Sequence, residues 1–223
     1  MKCIINIYGK LKNMNIKDLL KELGENFKEI DKNNENEVID FIIRPILETT
    51  LENKGLKYKP HYVKRNNQSG SRNCNPDFLL RRNGSYTMMI EAKNLNETFN
   101  IENSEGILYF NEQKQKYKNK NGDIFGQLHL YLLYAEKELR KKISVGILTN
   151  GKDWIFIKSE DFCDYNNLEN LLNPSMKSPE LSPKPGWKEK IEQLSIYQNE
   201  KIDEDKLSEL INKLQRLFSK KSN

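Results

Sequence analysis

The stretch NPDFLLRRNGSYTMMIEAK, residues 75–93, decides the fold predicted for this chain. Asn83-Gly84 is typical of a two-residue hairpin turn, and it stands between two apolar runs. An antiparallel hairpin about this turn places Asp77 on one strand beside Glu91 and Lys93 on the next. Glu91 and Lys93 share one face, because side chains alternate along a strand. The sequence therefore predicts two carboxylates and a lysine brought together by neighbouring strands.

These three side chains have the chemistry of a metal-dependent hydrolytic site. Asp77 and Glu91 carry the hard oxygen ligands that Mg²⁺ prefers, and the Ala92 carbonyl is a further candidate ligand for one or two ions. Lys93 would orient or polarise a metal-activated water that attacks a phosphodiester. The alternative is chance, since an aspartate and Glu-x-Lys arise readily in a chain with 31% charged residues. The apolar neighbours of Glu91 favour a site, because buried charges are costly unless they are paired or bind a metal.

Glu37 is a further candidate metal ligand, on the helix predicted to begin after Asn34. The alternative is a capping box, because Asn34 at the N-cap and Glu37 three residues later have that spacing. The two interpretations stand equal from the sequence.

Gln127 and Tyr131 lie four residues apart and so share one face of the helix predicted at 124–139. They are candidates to position the lysine or to contact a phosphate. The alternative is a core tyrosine and a surface glutamine, which the pattern by itself slightly favours.

Basic residues near the proposed site are candidates for nucleic-acid contact. Lys64, Arg65 and Arg72 are the predicted phosphate contacts. Alternate lysines from 114 to 120 are a second set, and a solvated loop is the alternative for them.

The order of the predicted helices and strands gives an α/β domain with a mixed sheet, in which helix 124–139 is a crossover. Pro45 is expected to kink the second helix or to end its first part. The predicted division is an N-terminal helical extension at 1–34, a core at 35–165, and a linker with C-terminal amphipathic helices at 166–223 that pack on the core or on a partner. The other predictions are helix 16–30, strands 56–64, 76–82, 143–148 and 154–157, and an apolar face of Val38, Phe41, Ile42, Ile46 and Leu47.

Composition sets the broad class. The chain has 223 residues, a net charge of +5 and a pI near 8.9, which permits a nucleic-acid partner without requiring one. Cys3, Cys74 and Cys163 are isolated, so a reducing cytoplasm is expected. No apolar run approaches the length of a membrane span, and no membrane partner is expected. Histidine catalysis is not expected either, with only His61 and His129 present.

An ordered series of motifs resembles the PD-(D/E)xK nucleases, most closely the N-terminal nuclease domain of type I restriction enzyme R subunits. The resemblance implies a restriction-endonuclease-like core, which is a central mixed sheet flanked by helices, with a helical C-terminal extension. It also implies Mg²⁺-dependent hydrolysis of DNA, in which Mn²⁺ substitutes. It implies a catalytic core of Asp77, Glu91 and Lys93, a helical acid at Glu37, and support from Gln127 and Tyr131. The series runs from about Glu35 to Ile157. It comprises Glu37…Pro45, Pro76-Asp77-Phe78, Ile90-Glu91-Ala92-Lys93, Gln127-x-x-x-Tyr131 and Leu148-Thr149-Asn150-Gly151-Lys152-Asp153-Trp154. The last motif is interpreted as structural.

The chain departs from those R subunits because it has no Gly-Lys-Thr phosphate loop, so it is not expected to translocate DNA by itself. The resulting hypothesis is a stand-alone DNA endonuclease in defence, restriction or mobile-element biology. A non-catalytic or partner-activated nucleic-acid-binding module on the same fold is the alternative. Further partner hypotheses are a homodimer through the C-terminal helices and a protein that supplies target selection.

Overall fold

The hairpin predicted about Asn83-Gly84 forms one edge of the central sheet. In the computed structural model, β1 (Phe78–Arg82) and β2 (Ser85–Ala92) pair antiparallel, with Arg82 opposite Ser85 at the turn and Phe78 opposite Ile90. The register shifts once, between Leu80 and Arg81. The structure describes residues 15–52, 76–82, 85–111, 116–119, 122–139, 143–167 and 180–219, so the turn residues themselves and the predicted strand 56–64 lie outside the described part.

Besides β1 and β2, the elements are α1 (Ile16–Glu29), α2 (Glu35–Val38), α3 (Arg44–Glu52), β3 (Leu108–Asn111), β4 (Lys116–Asn119), α4 (Ile124–Leu139), β5 (Val145–Thr149), β6 (Asp153–Lys158), α5 (Ser159–Phe162), β7 (Glu180–Leu181), β8 (Glu192–Ser195), β9 (Tyr197–Gln198), β10 (Lys201–Ile202) and α6 (Glu204–Ser219). The central sheet has five strands in the order β1-β2-β5-β6-β8, and it is mixed because β2 and β5 run parallel while the other neighbours are antiparallel. Strands β3 and β4 and the helix α4 lie between β2 and β5 in the chain, and β3 and β4 form a second sheet with the later strand β7, in the order β4-β3-β7. The α/β class with a mixed sheet flanked by helices is confirmed.

Helices α2 and α3 are joined by a π-helical turn at Ile39–Ile43, directly before Pro45. Proline has no N–H to donate to the carbonyl four residues earlier, which is that of Phe41. Asn26 Nδ2 of α1 donates to this carbonyl oxygen at 2.7 Å, so the helix passes the proline with that acceptor satisfied. The predicted break at Pro45 is thus a widened turn. Phe41, predicted on the apolar face, is 39% exposed.

The alternation of side chains along the central strands divides the core between the two faces of the sheet. Met88 and Ile90 pack on one face with α1, α2, α3 and α6, while Met89 packs on the other face with α4 and the second sheet. Helix α4 lies close to β5, since a Cβ at Gly146 would stand 3.0 Å from Leu128. Glu91 occurs one residue after Ile90 and therefore enters on the α4 face.

The C-terminal region is part of the fold rather than an appendage. Strand β8 pairs with β6 in the central sheet, and this strand was not predicted for the segment 166–223. The apolar stripe of α6 is buried in the same cluster as α1, so it packs on the core, which was one of the two alternatives predicted for it. The homodimer stays a prediction. In the described ranges, no helix is long and apolar enough to cross a membrane.

Candidate active site

The start of β1 and the end of β2 bring together the three residues predicted from the hairpin. Continuing the register beyond Phe78 and Ile90 sets Asp77 opposite Glu91, on the same face of the sheet. Asp77 Oδ2 accepts a hydrogen bond of 2.7 Å from the Ala92 N–H. Lys93 Nζ donates to Glu91 Oε1 at 2.7 Å, and both side chains are largely buried, at 14% and 5% exposure. The hairpin thus holds an acid pair and an ammonium in one buried group, which we call the acid–lysine cluster.

Gln127 and Tyr131 face this cluster from α4, as the functional interpretation of their spacing required. Gln127 Nε2 donates to Glu91 Oε1 at 2.8 Å and to the Tyr131 hydroxyl oxygen at 2.8 Å. The alternative of a surface glutamine is wrong, because Gln127 reaches a carboxylate that is only 4% exposed. The nuclease role of the pair stays a prediction.

The N-terminus of α4 is fixed by Asp123, which the sequence interpretation did not single out. Its carboxylate accepts from Ser104 Oγ at 2.6 Å, from the Gly106 N–H at 2.8 Å and from the Phe125 N–H at 3.0 Å. Its carbonyl oxygen accepts from the Gln127 N–H at 2.9 Å. The first turn of α4 is therefore tied to the loop before β3, which sets the direction of Gln127.

Glu35, rather than Glu37, is the helical acid beside the cluster, and this corrects the prediction. Glu35 Oε2 lies 3.9 Å from Lys93 Nζ. The Glu37 carboxylate is instead bound by the Asp31 N–H at 2.8 Å and by Asn34 Nδ2 at 3.0 Å. Asn34 is the N-cap, and its side-chain oxygen accepts from the Asn36 N–H. Glu37 supports this cap through the Asn34 side-chain amide, whereas the Asn34 N–H donates to the Asp31 carbonyl oxygen, so the reciprocal backbone bond of the predicted capping box is replaced.

A signal for Glu35 was present in the helical periodicity. Val38 and Ile42 follow Glu35 by three and seven residues, and both are fully buried against the sheet. Positions with this spacing share one helix face. Glu37 precedes the exposed Phe41 by four residues and so belongs to the solvent side.

The cluster has an excess of negative charge in a desolvated place. Burial, and then the charge of Asp77, raise the pKa of Glu91 to about 8, against the opposing effect of Lys93. Burial also raises the pKa of Asp77 to about 6, although the Ala92 N–H opposes the shift. Burial disfavours the ammonium form of Lys93, but Glu91 outweighs that effect and the pKa of Lys93 is raised. Without a metal ion, the positive charge beside these carboxylates is therefore too small to offset the effect of burial on their pKa values.

One oxygen of the cluster is left over after the protein contacts are made. Glu91 Oε1 accepts from both Lys93 and Gln127, whereas Glu91 Oε2 is buried and has no hydrogen-bond partner in the part of the chain that the structure describes. An unsatisfied buried carboxylate oxygen is costly, and a cation is the partner that also corrects the charge. The donor set fits Mg²⁺, a hard ion with oxygen ligands.

The fit is to an open site rather than a closed cage. Within the described ranges, no group of three or more His, Cys, Asp or Glu side chains is arranged to hold a metal ion. Magnesium usually keeps several waters and takes one or two carboxylates plus substrate phosphates. Asp77 and Glu91 match that smaller requirement, with the Ala92 carbonyl still a proposed ligand.

Some of the residues considered from the sequence do not fall in the described part of the chain. Lys64, Arg65 and Arg72, the predicted phosphate contacts, lie outside the described residues, as does His61. His129 is fully buried, its Nδ1 lies 2.9 Å from the Gly106 carbonyl oxygen, and burial lowers its pKa to about 4. His129 is therefore a neutral core residue of α4.

Comparison with known proteins gives no match to a protein-family model, to a curated protein or to a solved structure. The function is therefore argued from the chemistry of the site and from the motifs.

Proposed function

We propose that this chain is a Mg²⁺-dependent endonuclease that hydrolyses DNA phosphodiester bonds, on a restriction-endonuclease-like core. The observation that carries the proposal is the acid–lysine cluster, in which a buried Glu91 has one oxygen held by two donors and the other oxygen unpartnered. The order of elements supports it: the hairpin that bears Asp77 and Glu91 precedes the crossover helix α4 and the parallel strand β5. DNA as the substrate, and a role in defence, restriction or mobile-element biology, rest on the motif resemblance.

Each residue of the cluster has a distinct part in the proposed reaction. Asp77, Glu91 and the Ala92 carbonyl would hold Mg²⁺, or Mn²⁺ in its place, and Glu35 adds negative charge at the edge. The bound ion supplies an activated water and stabilises charge on the phosphate. Lys93 places a compact positive charge beside the carboxylates, where it orients the attacking water and offsets the charge of the pentavalent transition state.

Gln127 and Tyr131 orient the side-chain carboxylate of Glu91. Two donors on Glu91 Oε1, from Lys93 and Gln127, fix the carboxylate plane and leave Oε2 for the cation. Tyr131 in turn accepts from the same Gln127 nitrogen, which orients the amide. This is a preorganised ligand with supporting hydrogen bonds, as metal sites require.

The test is a cleavage panel with supercoiled plasmid, linear duplex, single-stranded DNA and RNA, each with Mg²⁺, Mn²⁺, Ca²⁺ or EDTA. Cleavage of DNA with Mg²⁺ or Mn²⁺ that is lost in Asp77→Asn and in Lys93→Ala supports the proposal. Glu25→Gln, on the exposed side of α1, is the matched control and should cleave as the wild type does.

Cleavage that persists in both cluster variants would overturn the assignment. Nucleic-acid binding without cleavage under every metal condition would favour the non-catalytic module. Activity that appears only after addition of the neighbouring gene products would identify a partner-activated enzyme.

A further inference from the structure

The turn between β5 and β6 reaches the segment that carries Lys93. The Lys93 N–H donates to the Thr149 carbonyl oxygen at 2.8 Å. Four residues later, the Glu97 carbonyl oxygen accepts from Asn150 Nδ2 at 2.7 Å. Both ends of the segment 93–97 are therefore held by two adjacent residues of the turn.

The side-chain oxygen of Asn150 binds the residue to the β5–β6 turn. Asn150 Oδ1 accepts from the Lys152 N–H at 3.0 Å and from the Asp153 N–H at 2.7 Å. The residue is 1% exposed. A buried amide that uses both its oxygen and its nitrogen has one defined orientation, so the position of Glu97 is coupled to the turn.

The same turn also contacts the helix that carries Glu35. Gly151 has φ +87°, and a Cβ there would lie 3.0 Å from Val38 Cγ1 and 3.1 Å from Ile42 Cγ2. Helix α2 and the π-helical turn that follows it thus pack directly on the β5–β6 turn through these residues. The lysine segment and the acidic helix are held against one common element.

We propose that Asn150 is a positioning residue for Lys93, which keeps the segment 93–97 on the β5–β6 turn so that the ammonium stays on Glu91 Oε1. The inference rests on the proposed nuclease function for its catalytic consequence. The positioning of Lys93 does not depend on that function, because the same hydrogen bonds hold the segment 93–97 whether or not the acid–lysine cluster catalyses a reaction. The turn, read as structural from its sequence, thereby acquires a role in the site.

The test compares Asn150→Ala, Asn150→Asp and a matched control. Asn150→Asp keeps the oxygen that accepts from Lys152 and Asp153, but it loses the donor to the Glu97 carbonyl and to Asp153 Oδ2 and sets a carboxylate oxygen beside both acceptors. Ser159→Ala is the control, because Ser159 is equally buried and hydrogen-bonded to the Ile143 carbonyl at the opposite end of the same strand pair.

The first readout is the rate of Lys93 acetylation by an amine-reactive ester, followed by mass spectrometry in native buffer. Both Asn150 variants lack the hydrogen bond to the Glu97 carbonyl oxygen, and the loss of this one bond should raise the released population, and so the acetylation rate, about tenfold. Ser159→Ala should leave the rate unchanged. An unchanged Lys93 rate in Asn150→Ala, or an equal rise in Ser159→Ala, would overturn the proposal.

The second readout is steady-state cleavage of plasmid DNA. Both Asn150 variants should lower kcat by about 10- to 100-fold, because a misplaced group loses transition-state stabilisation, with KM within about threefold of the wild type. Full activity in Asn150→Asp would show that only the turn matters, and would overturn the role assigned to the Glu97 contact. A wild type without cleavage would count against the nuclease, while the acetylation rates would still decide the positioning of Lys93.

Discussion

Replacement of Glu91 by glutamine should stabilise the metal-free protein, by an amount that grows with pH. Burial and the charge of Asp77 raise the pKa of Glu91 from 4.5 to about 8. Between these values the folded protein keeps a proton that the unfolded chain has released. Stability of the wild type therefore falls as pH rises through this window and levels off above the folded pKa.

The linkage relation sets the size of the effect. The interval from 4.5 to about 8 corresponds to a loss of at most about 5 kcal/mol at the upper end of the window. Glutamine resembles the protonated acid in shape and charge. Its oxygen still accepts from Lys93 and Gln127, and its uncharged amide takes the place of the unpartnered Oε2.

The assay is urea unfolding in EDTA at a series of pH values from about 4.5 to about 8.5, with wild type, Glu91→Gln and the surface control Glu25→Gln. The unfolding free energies of wild type and Glu91→Gln should converge at the acid end and separate toward the alkaline end. Mg²⁺ should narrow the gap at high pH, because it binds the ionised wild-type cluster in preference to the amide. Parallel profiles for wild type and Glu91→Gln would refute the desolvation argument.

Five further variants, in three groups, test the rest of the site and the turn that supports it. Glu35→Gln should weaken the apparent Mg²⁺ affinity about tenfold in a cleavage titration. Glu37→Gln should keep that affinity and lower the unfolding free energy by about 1 kcal/mol. Equal effects of the two variants on Mg²⁺ affinity would contradict the assignment of Glu35. Gln127→Leu should lower kcat at least about tenfold with little change in Tm. Tyr131→Phe, which keeps the aromatic ring, should lower kcat by a smaller factor. An unchanged kcat in Gln127→Leu would show that α4 does not contribute to the site. Gly151→Ala should lower the free energy of unfolding in urea by about 1–3 kcal/mol, because Gly151 has a positive φ and the side chains of Val38 and Ile42 fill the space that a Cβ would need. Unfolding at the wild-type free energy would show that the helix can move away from the turn.

Local patterns were enough to predict the parts of the site that depend on short stretches of chain. The hairpin that joins Asp77 to Glu91 follows from a turn dipeptide and an alternation of period two, both of which act within about twenty residues. Helix α4 occurs at Ile124–Leu139, the predicted bounds, because the segment is rich in leucine and other strong helix formers. The four-residue spacing of Gln127 and Tyr131 then required them to share a face.

The sequence by itself determined which side chains were available and which of them shared a strand or a helix face. Only the tertiary structure decided which faces met. Gln127 reaches Glu91 across 36 residues, Asn150 reaches Glu97 across 53, and β8 joins the sheet from beyond the predicted core. The choice of Glu35 over Glu37 likewise depends on how the α2 helix packs on the β5–β6 turn. Such contacts depend on the packing of whole elements, and a local pattern gives the periodicity of an element without its position on the sheet.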